Sequence, residues 1–276
     1  MKNFAIIGAA GYIAPRHMEA ITHNGGRIVA ACDTSDSVGI LDKYGYDIEF
    51  SDDSYDFFMG LPGLNVDYLV VCTPNDMHVE HTQCGLEKGA KVICEKPMGL
   101  TPEDTYFSFL SQQLTCRRIY NVLQLRYHPT ILALKANPPK ESVSIQYYTP
   151  RGKWYNKSWK GDEGRSGGIL MNIGIHLFDM LTWIFGPLEI LDLQIQEPNA
   201  IGSFRAESGV TILWDLSTEP AMGANRTLLV DGEKFDFSTG FTDLHKEVYR
   251  DILAGGGYGI DDARPAIELV NRMRGM

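Results

Sequence analysis

Long apolar runs are missing from this chain: none approaches the ~20 residues that a membrane-spanning helix needs, so no membrane partner is expected. The opening Met-Lys-Asn-Phe-Ala-Ile-Ile-Gly enters a strand at once instead of offering a signal peptide, and a cytoplasmic location is expected. Cysteine is scarce and irregular. The five, at positions 32, 72, 84, 94 and 116, are an odd number without a C-x-x-C spacing, and three of them (Cys32, Cys72 and Cys94) close apolar runs. They read as small core residues in a reducing compartment, with neither a disulfide framework nor a metal site expected. Positive charge is also short, 25 Lys and Arg against 35 Asp and Glu for a net charge of −10. That balance argues against nucleic acid as a partner and leaves a small anion possible only where basic residues concentrate. What remains is 276 residues, 44% hydrophobic and 22% charged, enough for one large globular domain or two of ordinary size, each with its own core.

Phe4-Ala-Ile-Ile7 is a short apolar run that ends in Gly8-Ala-Ala-Gly11-Tyr-Ile-Ala14, and residues 16 to 22 then read as helix. Strand, glycine turn and helix are the context of a dinucleotide fingerprint. Glycine permits the tight turn and lets backbone N–H groups approach a pyrophosphate at the positive end of the helix. The pattern is loose, G-x-x-G-x-x-A, and gains weight from a second strand, Ile28-Val-Ala-Ala-Cys32, closed by Asp33. A carboxylate there accepts hydrogen bonds from the adenosine ribose hydroxyls and repels a 2′-phosphate. Read this way, the cofactor is NAD, contacted by Gly8, Ala10, Gly11, Tyr12, Ile13 and Asp33; read blandly, Asp33 is a turn residue.

Residues 34 to 66 carry helical and turn-like stretches. Asp67-Tyr-Leu-Val-Val-Cys72 is a third strand candidate, stopping at Thr73-Pro74-Asn75-Asp76 before a helix that reaches about Lys88. Either this is a capped helix start, or Thr73, Pro74, Asn75 and His78 line the crevice at the nicotinamide end of the cofactor. Val92-Ile93-Cys94-Glu95-Lys96-Pro97 delivers a carboxylate and an ammonium to a strand end that Pro97, lacking an N–H, makes hard to continue. Alone it reads as a solvated strand end, but in open parallel sheets that end is where ligands bind. Thr101-Pro102-Glu103-Asp104 starts a helix to about Thr115, and Ile119 to Gln124 is a further strand. Five strands alternating with helices predict an α/β Rossmann domain, a doubly wound parallel sheet, over residues 1–127.

From residue 128 the pattern changes. After a short helix to about Ala136, apolar residues alternate: Val143, Ile145 and Tyr147; Leu191, Leu193 and Ile195; Val210, Ile212, Trp214 and Leu216. Alternation implies a sheet with one buried face, hence an antiparallel one. Asp231-Gly232 between Leu228-Leu-Val230 and Phe235-Asp-Phe237 is a hairpin signal. Helices at about 241–253 and 261–274 close the chain. Residues 128–276 are thus expected to form an α+β domain, with an open, mainly antiparallel sheet covered by helices on one face.

Two stretches of this second domain suit a substrate. Arg151 to Arg165 holds five basic residues and two tryptophans, Trp154 and Trp159, in an otherwise acidic protein. Basic side chains clamp phosphate or carboxylate and aromatic rings stack on a base or cover a sugar, although a charged loop is also simply solvated. Leu170 to Phe185 has helical periodicity, and at ~100° per residue positions 172, 176, 179 and 183 share a stripe. A lone histidine there would be a core residue. With Asn172 and Asp179 one turn to either side, His176 can instead be held in one tautomer as a proton acceptor.

Together these residues resemble the glucose-fructose oxidoreductase, inositol dehydrogenase and related sugar dehydrogenase family. The likeness rests on the glycine turn 8 to 14, Cys72-Thr-Pro-Asn75 with His78, Glu95-Lys96-Pro97, and Gly167-Gly-Ile-Leu-Met-Asn-Ile-Gly-Ile-His176 with Asp179. Within that family, Gly8 to His17, Asn121-Val-Leu-Gln-Leu-Arg126, Arg151-Gly-Lys-Trp-Tyr with Ser158-Trp-Lys-Gly-Asp162, and Gly257 to Arg264 resemble the bacterial UDP-N-acetyl-2-amino-2-deoxyglucuronate 3-dehydrogenases. The resemblance implies NAD-dependent oxidation of a sugar 3′-hydroxyl in surface-polysaccharide biosynthesis, by a homo-oligomer, dimer or tetramer, joined through the second sheet. It implies Lys96 and His176 as the catalytic pair, converging on one alcohol, and adds Glu95, Lys96, Gln124 and Arg126 to the cofactor contacts. Arg151, Trp159, Lys160, Asn172 and Asp179 join the catalytic pair in holding substrate, a UDP-sugar. Many relatives carry Asp at the place of Asn172, which orients a hydroxyl but takes up no proton, so a three-member Asp-His-Lys relay is not implied. Two other readings stay open: a dehydrogenase of a free sugar or inositol, and a non-catalytic NAD(H)-binding sensor or partner protein on the same fold.

Overall fold

Apolar runs without polar alternation become strands buried on both faces. In the computed structural model, which describes residues 1–236 and 243–276, β1 (Asn3–Ile7), β2 (Arg27–Cys32), β3 (Glu49–Ser51), β4 (Tyr68–Val71), β5 (Lys91–Cys94) and β6 (Ile119–Asn121) form one sheet in the order β3-β2-β1-β4-β5-β6. Its pairings are all parallel. Helices α1 (Ala14–His23), α2 (Ser54–Gly60), α3 (His78–Glu87) and α4 (Pro102–Thr115) lie along the connections. Strand order reverses between β1 and β4, so the crevice for a ligand opens at the carboxyl ends of those two strands. The edge strand β3 is absent from the sequence reading because it is three residues long and mostly exposed. Thr101 and Asp104 close a reciprocal capping box at the start of α4, as their spacing requires.

The alternating sequence that follows builds a second sheet. After α5 (Pro129–Ala136) come β7 (Ser142–Tyr148), the short α6 (Glu163–Ser166), a π-helical stretch Leu170–Gly174 and α7 (Ile175–Phe185). Then β8 (Leu188–Gln196), β9 (Asn199–Ala206), β10 (Thr211–Ser217), β11 (Asn225–Val230) and β12 (Glu233–Asp236) complete the order β12-β11-β7-β10-β9-β8. The sheet is mixed: β7 and β10 are parallel and the other neighbours antiparallel. Val143, Ile145, Tyr147, Ile212, Trp214 and Leu216 are buried, as their alternation predicts. Leu191, Leu193 and Ile195 are not a buried face. β8 is the edge strand, its register slips between Ile190 and Asp192, and Leu191 and Ile195 are 40% and 46% exposed. Asp231 and Gly232 both take positive φ, 48° and 87°, the type I′ hairpin that the Asp-Gly pair selects. The far end of that hairpin at Phe237, and positions 241 and 242 of the expected closing helix, lie outside the described residues.

The helix α8 (Leu244–Leu253) and α9 (Ile260–Arg274) end the chain. The expected division at 127/128 differs from the one observed. One unit contains residues 1–122 and 245–263, the other residues 123–244 and 264–276. The reason is burial in the first core: Val248, Tyr249 and Ile252 are at most 1% exposed, and the Tyr249 ring centroid lies 6.0 Å from that of Phe4 on β1. One further expectation changes: the helical stretch Glu163–Phe185 is by length and composition apolar enough to cross a membrane, but most of it is buried.

α7 packs on the second sheet through an aromatic cluster. The Phe178 ring lies 5.1 Å from that of Trp214 and 5.9 Å from that of Phe204, both edge-on, and Phe204 stacks on Trp214 at 5.6 Å. Gly174 completes the contact, since a Cβ there would stand 2.6 Å from the Phe178 ring. Phe178→Ala is therefore expected to lower unfolding free energy by about 3–5 kcal/mol in urea titration. A loss under ~1 kcal/mol would show that this cluster does not anchor the helix.

Candidate functional site

In the first unit the site is assembled from three strand exits. At the end of β1, Gly8 has φ +87°, and a Cβ on it would fall 2.6 Å from the Cys72 carbonyl carbon and oxygen. Only glycine lets that turn pass so close to the exit of β4. The Gly11 N–H closes the turn on the Gly8 carbonyl at 3.0 Å. At the end of β2, Asp33 accepts the Ala10 N–H at Oδ2 and the Ser35 N–H at Oδ1, both at 2.9 Å, so the carboxylate stands at the glycine turn. α1 starts after Ile13 with no side-chain cap and no acidic residue in its first turn. Its positive end is thus suited to a diphosphate, and the donor set with the Asp33 carboxylate fits a dinucleotide. Tyr12 is 79% exposed beside it.

At the exit of β4, Thr73 and Pro74 keep some surface while Asn75 is buried. His78, expected at the crevice, is buried instead, 1% exposed. Its Nδ1 lies 2.6 Å from the Pro97 carbonyl and its Nε2 2.9 Å from the Thr73 carbonyl, so the ring sits between the exits of β4 and β5 and, when neutral, donates to one of the two. Burial lowers its pKa more than the two carbonyls raise it. One turn on, the His81 Nδ1 lies 3.0 Å from the Thr73 hydroxyl, and burial pushes its pKa down to about 4.

At the exit of β5, Glu95 is 5% exposed. Its Oε1 accepts from His17 Nε2 at 2.8 Å and from His245 Nε2 at 3.2 Å, and its Oε2 accepts the Lys96 backbone N–H at 3.2 Å. Burial alone would raise the Glu95 pKa, but the two imidazole hydrogen bonds outweigh it and hold the carboxyl well below its usual range. Asn121 Nδ2 donates to the Cys94 and Glu95 carbonyls at 3.0 and 3.3 Å. Glu95, expected as a cofactor contact, is thus placed beneath the strand end, and Lys96 beside it retains some surface. No local pattern in the sequence gives a role to His17, Tyr249, Asn121 or His245. Positions 17, 95 and 245 are too far apart in the chain for any local spacing to join them.

In the second unit, Gly167 and Gly168 have φ of 79° and 70°. Their turn is closed by Ser166 Oγ, which accepts the Gly168 N–H at 3.1 Å, and by Glu197 Oε1, which accepts the Ile169 N–H at 2.9 Å. The π-helical stretch that follows carries Asn172, so the stripe expected from a uniform α-helix changes phase there. Asn172 is buried and donates from Nδ2 to the Tyr155 hydroxyl at 2.5 Å. Asp179 takes both arms of Arg126, Nη2 to Oδ1 at 2.7 Å and Nε to Oδ2 at 3.1 Å, in a buried ion pair. That guanidinium also lies over the Trp183 ring, 5.4 Å from its centroid. Arg126 and Asp179, expected at cofactor and substrate respectively, therefore serve each other. His176, in the first turn of α7, is partly exposed. Lys160 stands 3.6 Å over the Trp159 ring, and the half-buried Arg151 donates its backbone N–H to the Thr218 carbonyl at 2.9 Å. Gln124 Oε1 is buried with no hydrogen-bond partner among the described residues, an acceptor available to a ligand.

Models of one oxidoreductase family match the chain twice, the NAD-binding Rossmann fold over residues 2–106 and the C-terminal alpha/beta domain over residues 141–212. The crystal structure of the WlbA (WbpB) dehydrogenase from Thermus thermophilus in complex with NAD and alpha-ketoglutarate is similar, with a TM-score of 0.94 at 41% identity, covering 99% of this chain and 95% of that one. In complex with NAD and UDP-GlcNAcA, the Thermus thermophilus enzyme gives a TM-score of 0.93 at 40% identity over the same shares, 99% and 95%. D-glucoside 3-dehydrogenase of Escherichia coli (strain K12) is 29% identical over 235 residues, 78% of this chain, and the chain spans 62% of that relative's length.

The buried imidazole of His81 sets an acid limit on stability. Its folded pKa, about 4, lies below the ordinary value of 6.5, so the unfolded state binds the extra proton and stability falls as pH falls between those values. Stability is complete above pH ~6.5, and about 3 kcal/mol is lost by pH ~4 on this account. Chemical denaturation of wild type and His81→Asn across that range checks it. The variant should lose this part of the slope, and identical slopes would show that His81 titrates normally.

Proposed function

Because the chain belongs to the glucose-fructose oxidoreductase and inositol dehydrogenase family of oxidoreductases, we propose that it oxidises a sugar hydroxyl with NAD. The hydroxyl we assign is the 3′-hydroxyl of UDP-N-acetylglucosaminuronic acid, in the making of surface-polysaccharide sugars such as those of O-antigen. The observation that carries this reading is the fixed exit of β5. Glu95 and Asn121 hold the backbone around Lys96, while the ammonium-bearing residue itself keeps surface at a strand end where ligands bind. NAD when bound supplies a hydride acceptor. Gly8, Gly11 and the start of α1 receive its diphosphate, and Asp33 accepts from the ribose hydroxyls and disfavours a 2′-phosphate.

His176 is the base in this reading: of Asn172, His176 and Asp179 it alone is not buried, and it takes the hydroxyl proton as hydride leaves the carbon. Lys96 is assigned the stabilisation of the developing negative charge. Asn172, joined to Tyr155, and Asp179, joined to Arg126, hold the helix that presents His176. A nucleotide sugar is favoured over a free sugar by the Thermus thermophilus complex with UDP-GlcNAcA and by the basic, aromatic stretch containing Arg151, Trp159 and Lys160. We also place the protein in the cytoplasm as a homo-oligomer. The outer face of its second sheet supports the association of copies, with Ile201, Leu213 and Leu229 exposed by 41%, 52% and 41%.

Two experiments test the reading. His176→Ala should lower kcat by about 10²–10⁴-fold and leave the Kd for NAD nearly unchanged. An equal loss of NAD affinity would make His176 structural. Arg151→Ala or Lys160→Ala should raise KM for a UDP-sugar far more than for an uncharged sugar, followed by NADH absorbance. Indifference would remove the nucleotide sugar and keep the dehydrogenase, whereas tight NAD binding without turnover of any sugar would favour a sensor.

A further inference from the structure

His17, Glu95 and His245 are buried, and their ligand atoms all lie within 4.8 Å of one another. Two imidazoles and a carboxylate are the donor types of a zinc site. The detailed geometry points elsewhere. Both Nε2 atoms sit at hydrogen-bond distance from a single oxygen, Glu95 Oε1, at 2.8 and 3.2 Å. The remaining nitrogen of His17, Nδ1, lies 2.8 Å from the Tyr249 hydroxyl. One set of protons satisfies every contact: Glu95 is ionised, both imidazoles are neutral with the proton on Nε2, and Tyr249 donates to His17 Nδ1. Burial, which pushes the His17 pKa down, agrees with a neutral ring. A metal would need lone pairs at both Nε2 atoms and would move the protons to Nδ1. For His245 that N–H would be buried without an acceptor, because its Nδ1 has no partner among the described residues.

We propose that His17, His245 and Tyr249 are positioning residues for Lys96. Two N–H donors hold Glu95 as a carboxylate, and its other oxygen receives the Lys96 backbone N–H at 3.2 Å, which aims the lysine. The claim that this aiming serves oxidation of an alcohol rests on the role given to Lys96 above; the proton arrangement does not. His17 comes from α1, the helix that starts at the glycine turn, and His245 from the first turn of α8. The carboxylate therefore ties the diphosphate-facing helix, the lysine-bearing strand and the returning C-terminal helix to one point. Loss of one donor leaves a buried anion under-satisfied, and the strand end relaxes.

The test compares wild type with His245→Leu, which removes the donor, and His245→Gln, which keeps an N–H at similar reach. Amide hydrogen exchange at Lys96, read by NMR on the full chain, should be at least ~10-fold faster in the Leu variant and near wild type in the Gln variant. With a UDP-sugar and NAD, kcat should fall by about 10²-fold in the Leu variant with KM for NAD little changed, and the Gln variant should recover most of it. If His245→Leu does not fold, Tyr249→Phe makes the same comparison by releasing the His17 tautomer. Nitrogen-15 spectra of labelled histidines should show both rings protonated at Nε2, unchanged by added zinc. Lys96 exchange equal in all variants, or rings that shift to the Nδ1–H form on binding stoichiometric zinc, would overturn the proposal. Exchange and tautomers read the clasp even if no sugar is turned over, so failure of the dehydrogenase reading is seen separately.

Discussion

A buried carboxylate is the constraint around which the first unit is arranged. An ionised side chain loses several kcal/mol on leaving water unless other groups replace its hydration. Glu95 recovers that loss from two imidazole N–H groups and one backbone N–H. The same contacts decide what the chain must bring together. α1 supplies one imidazole, α8 the other, and the strand end between them is held in one geometry. His78 and Asn121 extend the hold, the first by one N–H set between the Pro97 and Thr73 carbonyls and the second through the Cys94 and Glu95 carbonyls. Lys96 thus emerges from a backbone braced by hydrogen bonds, the preorganisation that the role proposed for it requires.

The second unit solves a related problem with a different device. His176 sits just after a π-helical stretch, where the wider turn displaces the side chains ahead of it. Asn172 and Asp179 then bond to Tyr155 and to Arg126 within the unit. The bidentate Arg126 pair and its stacking on Trp183 stiffen the helix, because breaking a buried ion pair on one side costs about 3–5 kcal/mol. Phe178, on α7 with His176, locks that helix to the sheet through Trp214 and Phe204. Stiffness there comes from packing and charge together.

Local chemistry determined much of this protein by itself. The apolar runs ending at Cys32, Cys72 and Cys94 are strands or strand ends because β-branched and small apolar residues without alternation fit a doubly covered sheet. Gly8, the helix start at Thr101 and the Asp231-Gly232 turn were legible because each rests on a few adjacent residues with local backbone needs. Lys96 at a strand end and His176 on a helix were legible for the same reason.

Tertiary structure alone decided the partners. Nothing near position 95 in sequence announces imidazoles from positions 17 and 245, nor does Arg126 announce Asp179, since such pairs are made by chain segments that meet only after folding. The alternation at Leu191, Leu193 and Ile195 spoke for a buried face, but edge position and a register slip left much of it exposed. The return of residues 245–263 to the first unit was likewise invisible, because the burial of Tyr249 and the needs of the Glu95 charge are set by surroundings that a linear pattern does not contain. Periodicity and turn chemistry act over a few residues, whereas the satisfaction of a buried charge is a property of the whole core.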